Sequence, residues 1–464
     1  MRFKRSLSAC AVGVAMSTLA MLPMGAAAQE KLVVWWTKGF YPAEDKALNE
    51  MIQRFEKKMN AKVELSLYAV QDVIPKTVAA LGAGSFPDVA MGHTFDFQVA
   101  GKWAAEGRLA DLTDVIEPIK GRFLDNTIST AWFAGADGKK GYYAMPIYQQ
   151  TMHVNYWKDM LAEAGFKPSD IPTGWKEYWS FWCDKVQPAY RKASGKRGYA
   201  IGQPMGVDGT DSFFSFHQFM LAHKVKLVDN DGKVIVDEPE NKKNLAAALK
   251  DYTDIATKGC TPSSAINWKD PDNNVNFHNK TTIMTHNATI SIAAKWLDDA
   301  NNPTSSPEQR AQAKKNYEEN IETALWPNKP DGSPMNYLAA IKLAVVFKGA
   351  KNEKLGKQFL AYLTEDENLI PYTEGSLGRW YAVTKAGADS TFWTGSDVHR
   401  KKVSQQFRAG TDTFPFTRNY HFATLNNENV WAKAMSRVVN EKWTPEKATD
   451  EMVARIKEVA GGAK

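Results

Sequence analysis

The hydrophobic pattern of the chain opens with Leu32-Val33-Val34-Trp35-Trp36, an apolar run that predicts a strand. From Ala43 to Met59 the apolar positions Leu48, Ile52, Phe55 and Met59 recur at helical spacing. Val63, Leu65 and Leu67 then alternate with polar residues, which predicts a second strand. Asp72 to Leu81 reads as a helix ended by Gly82-Ala83-Gly84, and Asp88 to Met91 as a short third strand. Strands alternating with helices predict a mostly parallel sheet with helices on both faces. Ligands of such sheets sit beyond the carboxyl ends of the strands. Here those ends are Trp36-Thr37-Lys38 and Gly92-His93-Thr94.

The pattern changes after residue 140. Tyr142 to Val154 is an extended stretch broken at Pro146, and Trp157 to about Lys258 is rich in helical periodicity. Inside that region Asp229-Asn230-Asp231-Gly232 separates Lys226-Leu227-Val228 from Val234-Ile235-Val236, the signature of a hairpin. Residues 299–319 are polar and predict a partly helical surface insertion. Tyr337 to Phe347 is a second long strand run, and helices dominate from Asn352 onward. The chain shows no internal repeat and no low-complexity tract.

With 464 residues the chain exceeds what one compact core serves, so two domains are expected. Residues 1–28 have the form of an export signal. Arg2, Lys4 and Arg5 precede an uncharged small and apolar stretch, and Ala26-Ala27-Ala28 offers a cleavage pattern before Gln29. The run is too short and too rich in Ala, Ser and Gly for a membrane anchor. Leu7-Ser8-Ala9-Cys10 matches a lipidation motif, but no apolar segment fits between Arg5 and Cys10. Removing the signal leaves 55 basic against 52 acidic residues, which argues against electrostatic binding of nucleic acid. Two cysteines then remain, Cys183 and Cys260. An oxidising compartment favours a disulfide between them; two buried free thiols are the alternative.

Catalytic signatures are missing. The sequence holds no Gly-x-Ser-x-Gly elbow, no phosphate-binding loop and no dinucleotide fingerprint. His217/His223 and His278/His286 lack the spacing that puts two imidazoles on one helix face, so no metal site is expected. The carboxylates are too many for a glycosidase-like pair to stand out.

Several segments carry a family resemblance in the right order. Lys31-Leu32-Val33-Val34-Trp35, Phe55-Glu56-Lys57 with Lys62-Val63-Glu64, and Gly84-Ser85-Phe86-Pro87-Asp88-Val89 come first. Gly107-Arg108-Leu109 through Leu112-Thr113, Tyr143-Ala144-Met145-Pro146 and Ile171-Pro172-Thr173-Gly174-Trp175-Lys176-Glu177 follow. Phe277 to Met284 and Thr444-Pro445-Glu446-Lys447-Ala448 complete the series. Together they resemble the solute-binding proteins of bacterial ATP-binding-cassette importers, in the carbohydrate-binding family that includes maltose-binding protein. Two departures stand out. Val154-Asn155-Tyr156 replaces the usual Tyr-Tyr-Asn, and Asn287 and Ile290 stand where an aromatic residue is usual after Met284.

The resemblance implies an α/β fold of two lobes, each a mostly parallel sheet flanked by helices, with the ligand in the cleft between them. It implies lobe 1 as 29–143 with 338–383, and lobe 2 as 144–337 with 384–464. Both mature cysteines then fall in lobe 2. It further implies a periplasmic monomer that delivers its solute to permease subunits in the inner membrane and needs no cofactor. A sugar site requires aromatic faces for C–H surfaces and planar polar groups for hydroxyls. The candidates are Trp36, Thr37, His93, Tyr148, Gln150, Asp211, Asn287, Trp326, Arg379 and Trp380. Each has a plainer reading: core packing for the tryptophans, a helix N-cap for Asp211, a surface ion pair for Arg379. Rival functions are a polyamine, phosphodiester or anion binder, or an exported glycan-active enzyme. A polyamine site needs convergent carboxylates, of which the candidates offer chiefly Asp211; an anion site needs more cations than Lys38, His93 and Arg379.

Overall fold

The computed structural model describes residues 29–414 and 417–462. The expected signal segment with Cys10 lies outside them. The chain opens with β1 (Glu30–Thr37), β2 (Ala61–Tyr68) and β3 (Val89–Gly92), connected by helices Pro42–Met59 and Val70–Ala83. β1 pairs in parallel with both neighbours. A small hairpin follows, β4 (Trp132–Ala134) with β5 (Lys140–Tyr142), then β6 (Met145–Gln150). The next strands are β7 (His153–Trp157), β8 (Tyr199–Gly202), β9 (Thr282–Asn287) and β10 (Ile321–Ala324). The long β11 (Tyr337–Val346) and the short β12 (Thr411–Thr413) complete the set.

Two sheets result. In the first, β2, β1 and β3 are parallel, and β11 adds to β3 in the opposite direction. β6 pairs antiparallel along Ala340–Ala344 of β11, and β12 lies parallel to the start of β11. The second sheet runs β10-β7-β9-β8, with only β8 and β9 parallel. Three of the five pairings of the first sheet are thus parallel, whereas the second sheet is mixed and mostly antiparallel. β6, β7 and β11 arrive along the crossings between lobes instead of through strand–helix–strand units, and nothing forces them into the parallel direction.

Each sheet has its own hydrophobic core. One gathers Val34, Phe55, Phe95, Val345 and Leu360; the other gathers Trp157, Trp182, Phe219, Leu249 and Trp431. β6 packs with the first core, and Met152 and Val154 just beyond it pack with the second. A small third cluster of Ile290, Tyr381, Trp393 and Val403 covers the last crossing. There Tyr381 exchanges backbone hydrogen bonds with Gln149. Helix Val398–Arg408 then joins lobe 2, where Asp397 accepts from the Tyr317 hydroxyl at 2.6 Å.

Local chemistry explains where patterns hold and where they fade. Pro146 sits in β6 beside an irregularity, because Tyr148 opposes Lys342 and Pro146 opposes Leu343, leaving Ile147 as the extra residue of a bulge. The expected hairpin around Asp229 shrinks to one bridge between Val228 and Val234. Asp229 does take the amides of Asp231 and Lys233, but Lys226 donates to the Asn241 side chain and the strands stop. In the polar insertion, Ser306 and Gln309 form a reciprocal cap on helix Pro307–Lys315.

Cys183 and Cys260 form a disulfide with Cα atoms 5.3 Å apart, spanning 77 residues of lobe 2. We expect both thiols to resist alkylation in the native protein until it is reduced; rapid labelling without reductant refutes the bridge. Closure of a loop of this length contributes up to about 4.5 kcal/mol in the chain-entropy model. Replacing both cysteines by Ala is therefore expected to lower the urea midpoint.

A second expectation concerns acid. His153, His217 and His286 are buried, and burial holds their imidazoles at about 4, 3 and 3. The unfolded chain takes up these protons below about pH 6.5. Their contribution to stability is therefore full above that pH and is lost as pH falls toward the folded-state values. The loss is about 1.4 kcal/mol per pH unit for each group. Urea unfolding at pH 7 and pH 5 checks this; equal midpoints count against neutral buried imidazoles.

Candidate functional site

A cavity of about 170 Å³ lies between the lobes. Lobe 1 supplies Phe40, Val70, His93, Thr94, Gln150, Lys342, Arg379 and Trp380 to its wall. Lobe 2 supplies Thr210, Asp211, Phe214, Asp270, Asn274, Asn287, Thr289 and Ser291, among others. The lobes touch beside it, where the Tyr41 hydroxyl donates to the Ser291 carbonyl at 3.1 Å. Two larger hollows, about 530 and 860 Å³, lie elsewhere. Their charged lining residues are exposed or half-exposed, whereas the interlobe cavity has the buried Asp211 and Lys342 beside the half-buried Asp270 and Arg379.

Trp380 anchors the lobe 1 wall. It is 2% exposed and stacks on Tyr148 with centroids 4.5 Å apart and planes 16° apart. His93 meets the Trp380 ring edge-on and hydrogen-bonds the Tyr148 hydroxyl at 2.7 Å. Burial and the nearby Arg379 and Lys342 charges hold His93 well below its ordinary pKa, so its ring is neutral. The Arg379 guanidinium lies 4.4 Å from the Trp380 ring centroid and 3.3 Å from the buried Glu44 carboxylate. Gly378 precedes this group at φ +90, and a Cβ there would come within 2.9 Å of Ile290.

Lys342 is the one charge on the buried strand β11. Its ammonium pairs with Asp96 at 3.5 Å, both side chains 1% exposed, and lies 5.0 Å from the Phe214 ring centroid. Burial lowers the Lys342 pKa and raises that of Asp96 to about 6, with their mutual attraction opposing both shifts.

Lobe 2 contributes a helix start. Helix Thr210–Ala222 follows Gly209, which has no side chain to cap it. Asp270 caps it from a distant loop: one carboxylate oxygen accepts the Asp211 amide at 2.9 Å, the other the Thr210 hydroxyl at 2.7 Å. Burial raises both Asp211 and Asp270 above the ordinary carboxylate range, helped by the Asp270 charge at Asp211 and by the Asp272 charge at Asp270. Asn287 ends β9 with its amide fully engaged. It donates to Thr289 and Ser291 at 2.7 and 2.8 Å and accepts from Asn273 at 2.9 Å.

Six expected residues thus meet at one cavity: His93, Gln150, Asp211, Asn287, Arg379 and Trp380. Asn287 shapes its loop, because no polar atom of its amide is spare. Four others lie off the wall. Trp36 has the parity of Leu32 and Val34, so β1 turns it into the core, where its indole donates to Tyr372 at 2.8 Å. Thr37 is buried and bonds the Met91 carbonyl at 3.3 Å. Tyr148 backs Trp380 from beneath. Trp326 packs on His286 in the lobe 2 core and donates to the Met152 carbonyl at 3.0 Å. Lys342, Asp270 and Phe40 were missing from the expected set. Of these, only Lys342 has a plain sequence signal, a lone charge in an otherwise apolar run.

The Arg379–Glu44 pair gives a direct test. Arg379→Ala leaves Glu44 buried without a counter-charge and is expected to cost about 3–5 kcal/mol of stability. Adding Glu44→Gln should restore most of that loss in a double-mutant cycle. Urea unfolding of the three variants measures it; a loss under about 1 kcal/mol in Arg379→Ala would mark an exposed pair.

Comparisons with known proteins agree with this architecture. The arabinooligosaccharide-binding protein of Bacillus subtilis (strain 168) is 22% identical over 453 residues, covering 94% of this chain and 93% of its own. A solute-binding protein from Thermotoga lettingae TMO, solved with alpha-D-tagatose, superposes with a TM-score of 0.72 at 21% identity, covering 93% of this chain and 100% of that one. Maltose-bound T. maritima MalE3 gives 0.70 at 17% identity, covering 92% and 99%. Residues 50–402 match the bacterial extracellular solute-binding protein family, and the chain belongs to it.

Proposed function

We propose that this protein is the periplasmic binding component of an ATP-binding-cassette importer and captures a carbohydrate or polyol between its lobes. The supporting observation is the interlobe cavity itself, where the Trp380 indole, held between Tyr148 and the Arg379 guanidinium, is flanked by Gln150 and Asp211. Amide, guanidinium and carboxylate groups suit the hydroxyls of a sugar, and the rim of an indole suits its C–H surface. Sugar ligands in solved relatives, tagatose and maltose among them, support the same class.

Size narrows the choice. About 170 Å³ is well under the ~300–1,000 Å³ typical of pockets for drug-sized ligands. A single ring or short polyol fits the closed lobes better than an oligosaccharide. Contacts from both lobes favour the closed form by their difference in affinity between open and closed states. The closed form then presents its surface to the permease. Export follows from cleavage after Ala28.

A thermal-shift panel of hexoses, pentoses, disaccharides, polyols, polyamines and phosphate esters tests this. A cognate sugar or polyol should stabilise saturably, by about 2.7 kcal/mol at a hundredfold excess over its dissociation constant. Trp380→Ala should weaken its binding by about 1–3 kcal/mol. Because Trp380 is also packed on Tyr148, stability should fall too; Trp326→Ala should lose stability alone. Stabilisation by polyamines or phosphate esters, with none from any sugar or polyol, sinks the reading.

A further inference from the structure

The charges around the cleft do not balance. Arg379 neutralises Glu44, and Lys342 neutralises Asp96. Asp211 and Asp270, on the lobe 2 wall, form no ion pair among the described residues. Four carboxylates thus face two cations, and both cations already have partners. The nearest compensation is the start of helix Thr210–Ala222, equivalent to roughly half a positive charge.

The two carboxylates differ in what they have left to offer. Both oxygens of Asp270 are occupied by the helix start, through the Asp211 amide and the Thr210 hydroxyl. Asp211 is 8% exposed, lines the cavity, and receives one long hydrogen bond of 3.4 Å from Asn273 on Oδ2. Its Oδ1 has no protein donor among the described residues. A carboxylate withdrawn from water in this way is costly unless paired. Burial and the Asp270 charge are the leading influences on it, and the attractions of Arg379 and Lys342 rank below them. A cation inside the cavity would meet the Asp211 oxygen that no protein group serves.

We propose that the cleft selects a solute with a primary ammonium group beside its hydroxyls, an amino sugar or amino polyol, with the ammonium on Asp211. This rests on the carbohydrate reading above and narrows its substrate class. A parent sugar with a hydroxyl in place of the ammonium leaves the negative excess uncompensated. An N-acetylated sugar loses the charge and adds bulk to a cavity of about 170 Å³.

Calorimetric titration of the full mature protein at neutral pH decides it, using glucosamine, galactosamine and mannosamine, their parent hexoses, their N-acetyl forms and 1,4-diaminobutane. At least one hexosamine should bind about tenfold or more tightly than its parent and its N-acetyl form, a difference of about 1.4 kcal/mol. Asp211→Asn should bring that ratio close to one. Equal or tighter binding of a parent hexose overturns the amino-sugar assignment and leaves the carbohydrate reading standing. No binding by any hexosamine overturns the amino-sugar assignment alone, and tighter binding of the diamine than of every sugar overturns both. The wild-type comparison stands whether or not Asp211→Asn folds.

Discussion

A lysine buried on the strand that passes between the lobes constrains much of this structure. β11 is buried along all ten residues, and Lys342 is its one charge. An ammonium that deep requires a carboxylate, which fixes Asp96 and its short helix against the strand. The same strand pairs with β3, β6 and β12, so it ties the first sheet to the chain arriving from lobe 2. The bulge falls between Lys342 and Leu343. The site's buried charge and the main irregularity of the crossing strands therefore occupy neighbouring residues.

From that strand outward the lobe 1 wall is assembled in layers. Tyr148 opposes Lys342 across the β6–β11 ladder, Trp380 stacks on Tyr148, and Arg379 covers Trp380 while pairing with Glu44. Each layer restricts the next. A ring held between a tyrosine and a guanidinium gives up little rotamer freedom when a ligand arrives, and preorganisation of this kind cuts the entropy cost of binding. Stability and recognition consequently share residues, and an aromatic residue can serve as both core and platform.

Much of the fold was legible because its signals are local. Alternation at Val63, Leu65 and Leu67, the helical spacing from Leu48 to Met59 and the apolar run at Tyr337 each correspond to an element. At Trp36, position at a strand end suggested the cleft, but the residue shares the phase of Leu32 and Val34 and the strand turns it into the core. What stayed hidden depends on distant pairing. Asp270 caps a helix that begins about sixty residues earlier. Tyr148 becomes a support only because residue 380 returns to lie on it. β8 and β12 are short strands of four and three residues, held by partners far along the chain.

The division of labour among the acidic residues follows from the same distinction. Asp270 meets the ends of backbone and hydroxyl dipoles, so its role is complete within the protein. Glu44 and Asp96 each meet a full cation, Arg379 and Lys342. Asp211 shares the helix start with Asp270 but is left with one long contact, at the wall of the interlobe cavity. Moving either lobe away would return water to that carboxylate and relieve its desolvation. Closing them removes the water, so the free energy of closure depends on what the cavity offers Asp211. On the proposed reading, a donor supplied by the solute would lower the cost of closing, so one contact would serve both recognition and closure.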